Sequence, residues 1–131
     1  MKTNKELLQA MYDAFSQGNI PFILDSVSDD FTWFDPAYPS IASHGGTYHG
    51  KAGLGQFFQN LVSCYDTTHF AAHDFIAEGA KVVATGVQAF ILKSNGKTGE
   101  FQWAMVWEFK DGKATQGRNY YDTARYEAMY N

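Results

Sequence analysis

The sequence predicts an α+β fold in which helices from the first half pack on the concave face of a curved, mostly antiparallel sheet from the second half. Three observations carry this. Apolar residues recur every three or four positions through most of the first 65 residues. From Thr67 onward they alternate or run continuously instead, as in strands. The turn pairs Glu78-Gly79, Asn95-Gly96 and Asp111-Gly112 break that second half into hairpins.

The elements follow in order. Thr3 and Glu6 are spaced as a capping box, and Leu7, Leu8, Met11, Ala14 and Phe15 form one apolar stripe that stops at Gly18. Tyr12 lies beside that stripe. Asn19 caps a second, short helix with Pro21 in its first turn and Ile20, Ile23, Leu24 and Val27 on one face. Ser28 to Asp30 closes it, Phe31 to Phe34 reads as a short strand, and Asp35-Pro36 breaks that strand. Residues 35–50 read as one long loop, either a site wall or a surface connection. Leu54, Phe57, Phe58, Leu61, Val62 and Tyr65 give the third helix the strongest helical pattern of all.

Four strands in a meander complete the plan, with a short helical turn within Thr123 to Asn131. Phe101, Trp103, Met105, Trp107 and Phe109 alternate with smaller or polar residues, so that strand has one strongly apolar face. Val82, Val83, Val87, Ala89, Phe90, Ile91 and Leu92 make the preceding strand apolar on both faces. A second face that is apolar needs a cover, and a homodimer through the outer sheet face supplies one.

Bulk properties narrow the function. The 131 residues fit a single domain, 1–131, large enough to bury a core unaided. Aromatic residues make up 17% of the chain, which calls for a ring-rich core or a ring-lined pocket. The net charge is −4 and no basic block occurs, so nucleic acid is not an expected partner. The single cysteine, Cys64, rules out an internal disulfide and fits a reducing compartment. No segment has the ~20 apolar residues of a membrane span, and no signal-peptide pattern opens the chain. A cytoplasmic protein is expected.

Several local patterns occur in a telling order: Phe15-Ser16-Gln17-Gly18-Asn19, Phe31-Thr32-Trp33-Phe34-Asp35-Pro36, His49-Gly50-Lys51-Ala52-Gly53 before Phe57-Phe58, Ile76-Ala77-Glu78-Gly79, and Trp107-Glu108-Phe109-Lys110-Asp111-Gly112-Lys113 leading to Tyr120-Tyr121-Asp122. In this order the chain resembles the SnoaL-like and ketosteroid-isomerase-related proteins of the nuclear transport factor 2-like superfamily. The resemblance implies a cystatin-like cone with an apolar cavity between sheet and helices. It implies a small apolar or carbonyl-containing ligand and, if the protein is an enzyme, cofactor-free acid/base chemistry of isomerase, cyclase, or hydrolase and dehydratase type. A non-catalytic ligand-binding module or a dimerisation module of the same fold is the alternative.

The resemblance also suggests residues. Asp35, followed by Pro, stands where steroid isomerases keep a proton-moving base; an Asp-Pro turn is the plainer reading. Asp122 is the acid nearest the one that cyclases carry on their late strands, with Tyr120 and Arg118 on its face; it equally suits a cap for the terminal turn. Met105 replaces the isomerase's second acid and Met11 its phenol, with Tyr12 one position off, so steroid isomerisation itself is not expected. Trp33, Phe58, Trp103 and Trp107 are candidate cavity walls. His69 and His73 on a strand are ~13 Å apart, too far for one metal ion. His44 and His49 lie in the loop near Asp35, where a metal is the minor reading. A dehydratase-like pair would join His49 or His73 to Asp35. No metal or cofactor is expected.

Overall fold

The computed structural model describes residues 1–131. Its elements are α1 (Asn4–Ser16), α2 (Ile20–Asp25), β1 (Val27–Asp35), β2 (Gly46–His49), α3 (Gly50–Cys64), β3 (Tyr65–Glu78), β4 (Lys81–Leu92), β5 (Thr98–Lys110), β6 (Lys113–Tyr120) and α4 (Thr123–Ala128). The fold is α+β, as expected: one curved, six-stranded sheet in the order β2-β1-β6-β5-β4-β3, mostly antiparallel, with the first three helices against its inner face.

Local chemistry explains most boundaries. Thr3 Oγ1 accepts from the Glu6 N–H at 3.1 Å while Glu6 Oε1 accepts from the Thr3 N–H at 3.0 Å, a complete capping box for α1. Asn19 Oδ1 caps α2 at the Phe22 N–H, with Pro21 in the first turn. At the β5–β6 reversal Asp111 and Gly112 have φ of 52° and 79°, both left-handed, which is the geometry a two-residue hairpin requires.

The sheet is larger than the four-strand meander. Ser28 to Asp30 do not close α2 but belong to β1, which begins at Val27. The segment 35–50 is not all loop either. Residues 46–49 return as β2, antiparallel to β1, pairing Asp35 with Gly46 and Trp33 with Tyr48. The irregular part is therefore 36–45, a hairpin connection off the end of β1. Completing the sheet, β1 also pairs with β6, in parallel, through Thr32–Gln116 and Trp33–Gly117.

The core has two parts. The larger lies between the helices and the sheet and includes Leu8, Phe31, Trp33, Leu54, Phe57, Trp103 and Trp107. The smaller joins Tyr65, Phe90, Leu92, Phe101 and Tyr126 under α4 and the 36–45 loop. Against the larger part, β6 carries Gly117 on its inner face. A Cβ there would come within 2.7 Å of the Trp33 ring and 2.9 Å of the Trp107 ring, so only glycine lets both indoles cover that strand.

Candidate functional site

Strand parity builds the site. On β1 the buried positions are Val27, Phe31, Trp33 and Asp35. Asp35 therefore ends a row of core residues and turns inward with them, although it carries a charge. It is 2% exposed. A buried carboxylate needs partners, and it has three. Oδ1 accepts from the Tyr121 hydroxyl at 2.7 Å and from the Ala37 N–H at 3.1 Å. Oδ2 lies 3.2 Å from His44 Nδ1.

His44 reaches Asp35 because the 36–45 connection folds back over the end of β1. That connection is pinned on two sides. Asn60 Nδ2 on α3 donates to the Ser43 carbonyl at 3.2 Å, and Glu127 on α4 accepts from the Tyr38 N–H at 2.9 Å. Behind His44, Nε2 meets the Tyr126 hydroxyl at 2.7 Å, and Tyr126 meets the Tyr130 hydroxyl at 2.7 Å. His44 is 1% exposed and packs among Phe57, Tyr65 and Tyr126.

Asp35 borders a cavity of about 70 Å³ between α1, α3 and the inner sheet face. Its walls are Met11, Tyr12 and Phe15 from α1, Leu54, Phe57, Phe58 and Leu61 from α3, and Trp33, Phe70, Met105 and Trp107 from the sheet. The polar side chains besides the tyrosines and tryptophans are Asp35, Thr67, Gln88 and Asn119. Thr67 is exposed and marks where the lining reaches solvent. Pockets for drug-sized ligands run to roughly 300–1,000 Å³, so this cavity takes a ligand of a few heavy atoms as it stands. A larger ligand requires the half-buried Phe15, Phe58 and Leu61 to move apart.

Beside Asp35, Tyr12 and Asn119 stand out among the polar groups of this lining. The Tyr12 hydroxyl accepts from Trp107 Nε1 at 3.1 Å and donates to Met105 Sδ at 2.9 Å. Burial pushes the Tyr12 phenol well above its ordinary range, with the Trp107 hydrogen bond opposing, so it stays a neutral donor. Asn119 is 6% exposed and its Oδ1 has no hydrogen-bond partner in the protein.

The other candidates fall on both sides of this boundary. Tyr12, Trp33, Phe58 and Asp35 line the cavity together. Trp103 does not; it is a core residue stacked on Tyr12 and Phe70 at centroid distances of 5.6 and 5.1 Å. Exposed His49 sits at the start of α3 and makes no side-chain cap. His69 and His73 are also exposed on β3, so neither pairs with Asp35. Asp122 lies outside the cavity: its Oδ1 caps α4 at the Arg125 N–H, 3.1 Å away, and its side chain is 59% exposed. Arg118 and Tyr120 share the opposite face of β6 from Asn119 and Gly117. Counting parity back from Asp122 fails because the strand ends at Tyr120 and the chain turns before Asp122.

Sequence reasoning missed His44 as the partner of Asp35, and missed Asn119, Tyr121 and Tyr126. The Gly45-Gly46 pair was the available signal for His44, since a return strand there places residue 44 over the end of β1. For Asn119 the signal was Gly117 two positions earlier, on the face that carries the indoles.

A family profile of the SnoaL-like domain matches residues 8–117. Among solved structures, a nuclear transport factor 2-like protein of unknown function from Burkholderia pseudomallei superposes with a TM-score of 0.90, at 25% identity over 100% of this chain and 99% of that one. TerC, co-crystallised with polyporic acid, superposes with a TM-score of 0.84, at 27% identity over 95% of each chain. A nuclear transport factor 2-like protein from Burkholderia thailandensis, 21% identical over 98% of each chain with a TM-score of 0.88, shares the fold. No curated protein matches the sequence. No helix is long and apolar enough to cross a membrane.

Proposed function

Because the chain belongs to the SnoaL-like domain family, a small-molecule-binding fold, we propose that its cavity holds a small carbonyl compound and moves a proton on it without a cofactor, with Asp35 as the base. The observation that carries this reading is Asp35 itself: the one acidic side chain in an otherwise mainly apolar lining. In a water-poor site a carboxylate acts at full strength on a nearby C–H, and the site need not reorganise around it. His44 and Tyr121 hold it in place. Tyr12 suits the carbonyl end. Its hydroxyl now donates to a thioether, a weak acceptor, and a carbonyl oxygen gaining negative charge displaces that sulfur readily. Asn119 then supplies an amide to a neighbouring hydroxyl or carbonyl on the ligand. The co-crystallisation of TerC with polyporic acid supports an organic ligand for this fold at this degree of similarity.

The test is deuterium exchange at the carbon beside the carbonyl of a small cyclic ketone such as cyclohexanone, with binding measured in parallel. Asp35→Asn keeps the shape and removes the base. The expected result is catalysed exchange by the natural protein and a loss of about a hundredfold or more in the variant, with binding retained. Binding without exchange in either protein leaves a ligand-binding module.

The outer sheet face favours a second copy of the chain as partner. Ile76, Val83, Val106 and Arg118 form one cross-strand row, and Thr85, Ala104 and Tyr120 the next. Ile76 is 64% and Tyr120 42% exposed. A dimer through these rows covers the apolar side chains. Val106→Glu is expected to give a monomer by sedimentation, while a monomeric natural protein removes this proposal.

A further inference from the structure

We propose that Asp35 exchanges its proton with solvent through His44, Tyr126 and Tyr130, a chain that leaves the cavity on the α4 side and does not pass through the ligand. The proposal rests on Asp35 being the group that gains and loses the proton.

The links are continuous. Asp35 Oδ2 to His44 Nδ1 is 3.2 Å, His44 Nε2 to the Tyr126 hydroxyl 2.7 Å, and Tyr126 to the Tyr130 hydroxyl 2.7 Å. Asp35, His44 and Tyr126 are at most 2% exposed, and Tyr130 beyond α4 is half-buried. Asp35 thus has no direct route to bulk water. Besides the cavity, which a ligand fills, and the half-buried Tyr121 hydroxyl on Oδ1, this chain is its route outward.

Every link both donates and accepts, so the chain has two polarities. With neutral His44 protonated on Nδ1, that N–H donates to the Asp35 carboxylate. Tyr126 then donates to Nε2, and Tyr130 to Tyr126. A proton arriving at the Tyr130 oxygen lets Tyr130 pass its own proton to Tyr126, and Tyr126 its own to His44 Nε2. The Nδ1 proton of His44 then bonds to Asp35 Oδ2 and its bond to nitrogen breaks. Asp35 ends neutral, His44 ends neutral with its proton on Nε2, and both tyrosines end protonated with their bonds reversed. The reverse sequence carries a proton taken from a ligand out to solvent. Burial, with Tyr130 beside it, pushes the Tyr126 phenol far above its ordinary range, and Tyr130 rises to about 12. The tyrosines therefore work by hand-over between neutral forms.

The surroundings leave the chain undisturbed. Tyr121 and the Ala37 N–H bind the other carboxylate oxygen, Oδ1. Glu127 on α4 is committed to the Tyr38 N–H, and Asp122 and Arg125 are exposed. The Tyr65 ring and the Cys64 thiol are the remaining titratable neighbours, Tyr65 against His44 and Cys64 near Tyr130.

The experiment follows the His44 ring proton by NMR in the full chain labelled with nitrogen-15 histidine, with the cavity empty and no substrate. In the natural protein this proton is expected to exchange with water much faster than the backbone N–H groups of the core. Tyr126→Phe and Tyr130→Phe are each expected to slow it by about tenfold or more, because exchange must then wait for local opening. Tyr130→Phe leaves the Tyr126–His44 bond in place and carries the test alone should Tyr126→Phe not fold. An unchanged or faster exchange in Tyr130→Phe overturns the proposal, since protons then enter by the cavity. Exchange that slows as expected while Asp35→Asn leaves ketone deuteration untouched keeps the chain and removes the base. Ketone deuteration lost in Asp35→Asn with ring exchange unaffected by Tyr130→Phe does the reverse.

Discussion

Asp35 owes its place to two residues before it. Phe31 and Trp33 are buried on the inner face of β1, and a side chain two positions further along the strand must follow them. A shift of one residue would aim Phe34 at His44 and put the carboxylate outside. Gly117 acts at the same scale from the opposite direction. It contributes no side chain, yet the two indoles that wall the cavity crowd the place its Cβ would take. Gly117→Ala forces Trp33 and Trp107 aside in a packed core, a change that typically costs about 1–3 kcal/mol. The expected result is a lower urea midpoint with an unchanged slope, together with altered tryptophan fluorescence as the rings shift. An unaltered midpoint would mean that the indoles have room to move.

Among the elements, those with strong local signals were legible in the sequence. The capping box of α1, the Asn19-Pro21 start of α2 and the Asp111-Gly112 reversal are each written in three or four adjacent residues. β2 was not legible because four residues, Gly-Thr-Tyr-His, carry no periodicity; they become a strand only by pairing with β1. The parallel pairing of β1 with β6 joins residues more than eighty positions apart and has no local trace. Half of the site depended on these two pairings. Tyr12, Trp33 and Phe58 were readable from helix stripes and the strand pattern, and Asp35 from the family resemblance, whereas the place of His44 depended on what β1 pairs with. α4 shows the converse error, where one residue suited two roles. Asp122 acts as a cap, so Asp122→Ala is expected to cost about 0.5–2 kcal/mol by chemical denaturation, at the low end for so short and exposed a helix. Ligand binding and any ketone deuteration should be unchanged; their loss would return Asp122 to the site.

Taken whole, the molecule buries its phenols on both sides of Asp35, and this gives it a distinctive weakness in alkali. Burial holds Tyr12, Tyr65 and Tyr126 far above the ordinary phenol value of 10.0, with the charge on Asp35 adding to the rise at Tyr65. In the unfolded chain the same groups ionise near pH 10. Below that pH both states hold these protons, and the stability linked to them is complete. As the pH rises past 10 the unfolded chain releases protons that the folded chain retains, so stability falls. The slope is about 1.4 kcal/mol per pH unit for each such group, so these three alone give about 4 kcal/mol per unit, and Tyr121, which burial also holds far above 10.0, adds to it. A domain of this size has about 5–15 kcal/mol in total, which is exhausted within a few units above pH 10. The expected observation is a single cooperative alkaline transition in which tyrosinate absorbance from these three groups and loss of near-ultraviolet circular dichroism coincide. Tyr126→Phe removes one group from the slope and should make the transition shallower in pH. Full tyrosinate absorbance appearing before the dichroism changes would show that solvent reaches the buried phenols in the folded state, and the closed chain from Tyr130 to Asp35 would fail with it.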